Sequence, residues 1–217
     1  NALLIIKTRG LKSLFIAALN LIHSSLLKKV FNKLTIKKKV NDFFMHLYVS
    51  DRGISRSLIL FGTREVDKKF ILENTIKEGM KIFDIGANIG YYTLTMSKIL
   101  NDSGKILAIE PSQENIDLCK SNIRLNNLKL SNIDFISGAV SNKNHVKDFY
   151  IASQSNLHTF HPEGSAKKFL TGEIRKINTY SVKKLSKLFY LPDLIRMDVE
   201  GHEVEIISGM LESIKSG

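Results

Sequence analysis

The chain has 217 residues, 43% of them hydrophobic, enough to bury one good-sized core, so one main domain is expected. A single cysteine, Cys119, excludes a disulfide framework and points to a reducing, cytoplasmic setting. The net charge of +11 suggests nucleic acid until it is mapped: residues 1–40 hold nine Lys/Arg and no acid, and the other 177 carry only +2.

The basic segment, 1–41, reads as a helical piece apart from the domain at 42–217. The chain does not begin with methionine, so Asn1 is expected to lie inside a longer protein. Leu14 to Ile22 is apolar but interrupted by Asn20 and followed by His23, too short and too broken to span a bilayer. No small-residue cleavage pattern follows, as a signal peptide requires. Leu11, Phe15, Ala18, Ile22 and Leu26 share one helical face, which predicts an amphipathic helix. It has three potential uses: packing on the domain with a solvated basic face, peripheral contact with an anionic inner membrane surface through residues 1–40, or a nucleic-acid arm.

Phe43 to Val49 and Ser57 to Phe61 flank the turn signal Asp51-Arg52-Gly53, which predicts a β-hairpin. Arg64 to Ile76 reads as a helix with Val66, Phe70, Ile71 and Asn74 on one side, ending near Gly79 as C-cap.

The organising stretch follows. The apolar run Met80 to Ile85 enters the turn Gly86-Ala87-Asn88-Ile89-Gly90 and leaves as a helical pattern through Tyr91, Tyr92, Thr93 and Met96. Strand, tight loop and helix start are the element that holds nucleotide-like ligands in open α/β sheets. Gly86 and Gly90 remove Cβ atoms where backbone turns or approaches a ligand, and free N–H groups of the helix start face it. A dinucleotide fingerprint would carry glycine where Asn88 stands, and Asp84 would repel a pyrophosphate. The same carboxylate would attract a ligand bearing an ammonium and a sulfonium, as S-adenosylmethionine does. No Gly-Lys-Ser/Thr follows, so a Walker loop is excluded.

Lys105 to Pro111 is a second buried strand, ending at Glu110, 26 residues after Asp84, where a carboxylate reaches ribose hydroxyls. Ser112 caps the helix Gln113 to Asn126, and Ile133 to Ile136 is a third strand. The small residues Ser137 to Ser141, Ala139 among them, leave room for an adenine edge or simply make a short loop.

Asp148 to Ala152 and Ile174 to Thr179 read as strands around a polar loop, Ser153 to Gly172. The loop holds His158, His161 and Glu163, but a metal site needs a third ligand and a rigid element, neither evident, so no metal ligand is assigned. A mobile cover over the acceptor site is the expectation. Ser181 to Tyr190 is helical, and Asp193 to Val199 is the next core strand. It ends in Asp198-Val199-Glu200-Gly201-His202-Glu203, which gathers three carboxylates and a histidine at a strand end. A helix N-terminus favours acids anyway and accounts for Glu203 and Glu205, but not for Asp198 or His202.

Asp84-Ile85-Gly86-Ala87-Asn88-Ile89-Gly90-Tyr91-Tyr92-Thr93 and Asp198-Val199-Glu200-Gly201-His202-Glu203 together resemble the paired signatures of FkbM-type methyltransferases. Ile109-Glu110-Pro111 and Gly138-Ala139-Val140-Ser141 fit, and the resemblance runs from about Leu47 to Gly217. It implies a Rossmann-like class I methyltransferase fold, an open twisted sheet with helices on both faces, and S-adenosylmethionine as cofactor. The implied reaction is O-methylation of a hydroxyl on a sugar, glycan or secondary metabolite. Asp84, Gly86, Asn88 and Gly90 would line the methionine end, Glu110 would hold the ribose, and Asp198 would lie near the transferred methyl. Ala87, Tyr91, Thr93, Ser112 and Ala139 complete the candidate cofactor set. Arg196 stands where the family commonly has Lys, and Ser181-Val182-Lys183 replaces a Thr-Leu-Asp segment. Only one helix follows Asp198, so a C-terminally incomplete sheet is expected.

Methyl transfer to an alcohol needs in-line positioning and a base. His202 and Glu200 are the candidates for that base, with Asp198 as orienter. A Mg²⁺ on Asp198, Glu200 and Glu203 requires a convergence that strand-end spacing does not guarantee. Two further classes remain: a nucleic-acid methyltransferase using the basic arm, which Asp-Val-Glu-Gly in place of a base-stacking loop argues against, and a non-catalytic cofactor-binding domain.

Overall fold

A computed structural model describes residues 2–31, 34–163 and 166–215. Asn1, Lys33 of the basic stretch, Gly164 and Ser165 of the polar loop, and Gly217 lie outside the described residues. The chain divides into two compact units, Asn1–Val66 and Asp67–Gly217, a later break than the one expected at residue 41.

The first unit comprises α1 (Ala2–Phe31), β1 (Thr35–Val40), β2 (Phe43–Tyr48) and α2 (Ile54–Phe61). The hairpin is β1–β2, in register from Thr35↔Tyr48 to Val40↔Phe43, with Asn41 at φ 50 in its turn. The hairpin expected further on is therefore misplaced, because Ser57 to Phe61 lies in α2. Asp51 decides that outcome: its two carboxylate oxygens accept the Gly53 and Ser55 N–H groups at 2.9 Å and start a helix. Ile54, Ser55, Leu58 and Ile59 then fall on one buried helical face.

Helix α1 kinks at Gly10 (φ 78, ψ 167) and packs on α2, with Asn20 Nδ2 donating to Leu60 O at 3.3 Å. Its covered side is not the predicted one. Ala17 and Ser24 are buried, whereas Leu11, Phe15, Ile22 and Leu26 are exposed. The stretch Lys7–Lys29, 23 residues of mean hydropathy 1.4, is long and apolar enough to cross a membrane by length and composition. This corrects the short estimate: Asn20 and His23 leave the helix unbroken, and Leu26 and Leu27 extend it.

The second unit comprises α3 (Val66–Thr75), β3 (Lys81–Ile85), α4 (Tyr91–Leu100), β4 (Lys105–Glu110), α5 (Gln113–Leu125), β5 (Ile133–Ser137), β6 (Ala139–Val140), β7 (His145–Ala152), β8 (Leu170–Tyr180), α6 (Val182–Leu188), β9 (Leu194–Met197) and α7 (Glu203–Lys215). The predicted face of α3 is wrong: Val66, Phe70 and Ile71 are exposed and Leu72 is buried. Gly79 lies past the helix end, its N–H on Ser103 Oγ, so it is not a C-cap.

The main sheet is parallel in the order β5-β4-β3-β9. Phe83, Ile85, Leu107 and Ile109 face Leu185 of α6 and Ile206 of α7. The alternate residues meet α4 and α5, as Asp84 does through Thr93. Helices thus cover both faces. The chain steps outward from β3 to β4 and β5, then returns to β9 on the other side of β3, which makes the β3/β9 carboxyl ends the topological switch point.

A second sheet, β6-β8-β7, holds the middle of the chain. In the connection that follows β7, Thr159 bridges Tyr150, and Thr159 and Ala166 are buried.

Candidate functional site at the strand tips

Asp84 is fully buried, not turned towards open space. Its Oδ2 accepts the Thr93 hydroxyl at 2.6 Å, and its Oδ1 takes Arg196 Nη1 at 3.1 Å. Arg196 Nη1 also donates to Gly86 O at 2.9 Å, and its Nη2 to Asp198 Oδ2 at 2.8 Å. The guanidinium lies over the Tyr92 ring at 4.3 Å. The charge expected to attract the ligand's ammonium is therefore met by a protein cation. With Thr93 it forms a structural pair.

The loop 86–90 is likewise internally satisfied. Gly86 and Ala87 N–H both reach Ile109 O, Asn88 N–H reaches Glu110 Oε2 at 3.0 Å, and Gly90 N–H reaches Ala87 O. It is no phosphate cradle. Asn88 adopts φ 49, the left-handed conformation that Asn tolerates better than most side chains. A Cβ on Gly86 would collide with the Asp198 carbonyl, and one on Gly90 would stand 2.6 Å from Cys119 Sγ. These glycines admit neighbouring protein atoms and take the positive φ of the sharp turn that was one of the two expectations for them. Ala87, Gly90, Tyr91 and Thr93 are buried, leaving Gly86 and Asn88 as the partly exposed members of the loop.

Glu110 ends β4 and is buried. Its Oε1 accepts Ser112 N–H at 3.1 Å and Asn115 Nδ2 at 3.2 Å, and its Oε2, among the described residues, accepts only Asn88 N–H. A carboxylate offers about four acceptor sites, so Oε2 keeps capacity for a hydroxyl donor. Burial pushes the Glu110 carboxyl above its ordinary range, against the pull of its three N–H donors. Ser112 caps α5 as expected, its Oγ accepting Asn115 N–H. Ala139 is buried and paired with Thr179, and a Cβ on Gly138 would meet the Tyr180 ring at 2.8 Å. The absent Cβ of Gly138 thus serves the packing of Tyr180.

The residues after β9 do not converge. Asp198 stays at the strand tip with Arg196 and, at 3.9 Å, Lys68. A recess of about 180 Å³ opens there, lined by Lys68, Ile71, Leu72, Tyr92, Arg196, Met197 and Asp198. Glu203 folds back to accept Val199 and Gly201 N–H groups, so it is spoken for by the start of α7. Glu200 is partly buried at φ 48. A shared Mg²⁺ on these three acids has no support in this arrangement. His202 is buried, its Nε2 on Ser141 Oγ at 3.0 Å and its Nδ1 3.1 Å from His161 Nε2. Burial pushes its imidazole down to about 4, so it is neutral and weakly basic near pH 7. Its Nε2 is held by Ser141 and its Nδ1 faces His161, so neither ring nitrogen faces the recess beside Asp198. Sequence reasoning missed the meeting of His161, His202 and Glu205, because 41 residues separate the two histidines.

A glycine-bounded loop after β3, an acid at the tip of β4 and a switch point at β3/β9 define the class I methyltransferase architecture, whose methyl donor is S-adenosylmethionine. Residues 84–216 match the methyltransferase FkbM domain model, more than half of the chain, and the chain belongs to that family.

Among solved structures, the methyltransferase FkbM from Methylobacillus flagellatus KT is similar at 14% identity over 74% of this chain and 39% of its own, with TM-score 0.45. M. jannaschii TYW2 in complex with AdoMet is 21% identical over 48% of this chain and 43% of its own, TM-score 0.39. Trm5b from Pyrococcus abyssi is 20% identical over 51% and 31%, TM-score 0.39. The chain spans less than half the length of each. No curated protein matches.

Proposed function

We propose that this chain transfers a methyl group from S-adenosylmethionine to a hydroxyl of a small polyhydroxylated acceptor, a sugar, glycan or secondary metabolite. The observation that carries this is the recess beside Asp198, where one carboxylate and two cationic side chains, Lys68 and Arg196, stand around an apolar floor. Donors and an acceptor in so small a space suit hydroxyls. When bound, S-adenosylmethionine supplies the methyl on a sulfonium. Glu110 receives a ribose hydroxyl on Oε2. Arg196 fixes the Asp198 carboxylate from one side, and Asp198 takes the hydrogen bond, and then the proton, of the acceptor hydroxyl. Asp198→Asn tests this. Turnover against a panel of sugars and glycans should fall about 10²–10⁴-fold, with S-adenosylhomocysteine binding retained. Unchanged turnover removes Asp198 from the chemistry.

For the first unit we infer peripheral contact with an anionic bilayer at the inner membrane surface. Helix α1 is held along its unit by Asn20, which also accepts Lys38 Nζ at 2.6 Å, while Phe15, Leu19 and Ile22 stay exposed. Lys7, Arg9 and Lys12 on one side and Lys28 and Lys29 on the other bracket that apolar face, the charge arrangement that anionic headgroups complement.

A further inference from the structure

His161, His202 and Glu205 come from two places: the β7–β8 connection, and the start of α7 with the residue before it. Each offers one ligand atom, and the three atoms lie within 4.8 Å of one another. His161 Nε2 is 3.1 Å from His202 Nδ1 and 3.4 Å from Glu205 Oε1, and His202 Nδ1 is 3.6 Å from Glu205 Oε2. Around a tetrahedral ion with bonds of about 2.0–2.1 Å, ligand atoms stand about 3.3–3.4 Å apart. Charge-assisted hydrogen bonds would instead draw the carboxylate to about 2.7–2.9 Å. The two histidines meet different oxygens of Glu205, and with one atom from each residue the spread is up to 4.8 Å, so the three side chains would draw together on an ion.

The other side of the His202 ring meets Ser141, and the hydrogen bonds there favour one tautomer. Ser141 Oγ donates to Asn142 Oδ1 at 3.3 Å, which leaves it to accept the His202 Nε2–H at 3.0 Å. The lone pair of His202 is then on Nδ1, aimed into the cluster. A ligating imidazole whose far nitrogen is held by a hydrogen bond is the usual outer support of a metal site. The same bond argues against a Ser–His–Glu nucleophile, because the Ser141 hydroxyl is buried and committed to Asn142. His202 is buried under Phe160, at 4.8 Å between ring centres, whereas His161 and Glu205 are partly exposed, so the fourth position opens to solvent. Lys147 faces the cluster as a cation and opposes a bound ion, with Glu203 and Glu205 favouring it.

We propose that His161, His202 and Glu205 form a two-histidine, one-carboxylate site for a divalent transition ion of the zinc type, with an open fourth position. The ion would pin the β7–β8 connection to the start of α7, just beyond the Asp198 tip. The proposal is independent of the methyltransferase reading.

The test is a titration of the full chain, stripped with EDTA, with CoCl₂ and then ZnCl₂. The wild type should take up one equivalent, with a dissociation constant on the order of 1 µM or below and the visible absorption of four-coordinate cobalt. His161→Ala and Glu205→Gln, both at partly exposed positions, should each weaken uptake about tenfold or more. His145→Ala, outside the cluster, should not. No saturable one-to-one uptake by the wild type, or uptake that survives either cluster substitution undiminished, overturns the proposal.

Discussion

Asp84 and Arg196 are register partners on the neighbouring parallel strands β3 and β9, and a buried ion pair of 3.1 Å joins them. The same guanidinium reaches Gly86 O and Asp198, so one side chain ties the two strand tips together. Arg196→Met leaves the Asp84 carboxylate buried without its cation, a change that costs about 3–5 kcal/mol. Arg196→Lys keeps the charge but not the fork, and should cost less. Urea midpoints should order wild type above Lys and Lys above Met. Equal midpoints would mean that the pair contributes nothing.

Gly86 (φ +80) carries two demands, a left-handed backbone and an absent Cβ beneath the Asp198 carbonyl. Gly172 (φ +88) carries only the first, with open space around it. Gly172→Ala should therefore cost about 1–2 kcal/mol, the strain alone, and Gly86→Ala distinctly more. Chemical denaturation of both variants checks this. Equal losses would mean that β3 and β9 part freely.

These two positions also show what the sequence could reveal. The strand–loop–helix at 81–100, the Glu110 strand tip and the Ser112 cap were legible because each is written in local periodicity and capping chemistry. The contacts of the glycines were not, because the atoms they admit belong to Asp198 and Cys119, distant in sequence. Asp51 turned an apparent hairpin strand into α2 through two side-chain bonds that composition alone does not rank. His202 was legible as a strand-end histidine after β9, but its contacts with Ser141 and His161 were not, because both lie far off in sequence.

Cys119 lies buried against Gly90, and burial first, then the charge of Asp84, pushes its thiol up to about 12. Iodoacetamide at pH 8 should leave the native protein unmodified and alkylate it quickly in strong urea. Because an unfolded thiol ionises near pH 8.5 and this one does not, unfolding is favoured as pH rises from about 9 towards 12. Cys119→Ala should flatten that part of the stability profile. Rapid native alkylation would contradict the packing of α4 on α5.

Helix α1 should carry the full chain onto phosphatidylglycerol vesicles in a sedimentation assay, less so at high salt, and not onto phosphatidylcholine vesicles. Replacing Phe15 and Leu19 by Asp should abolish that binding without loss of fold, since both side chains are exposed. Wild-type chain left in solution with both vesicle types would contradict the membrane reading.

The most direct test of the methyltransferase assignment is calorimetric titration with S-adenosylhomocysteine, of the wild type and of Glu110→Gln in parallel. One-to-one binding is expected, weakened about tenfold or more in Glu110→Gln. Ligand at a hundred times its dissociation constant should add about 2.7 kcal/mol to the stability of the wild type. A wild-type chain that melts cooperatively, yet gives neither heat nor a shifted midpoint with the ligand, would contradict cofactor binding by this domain.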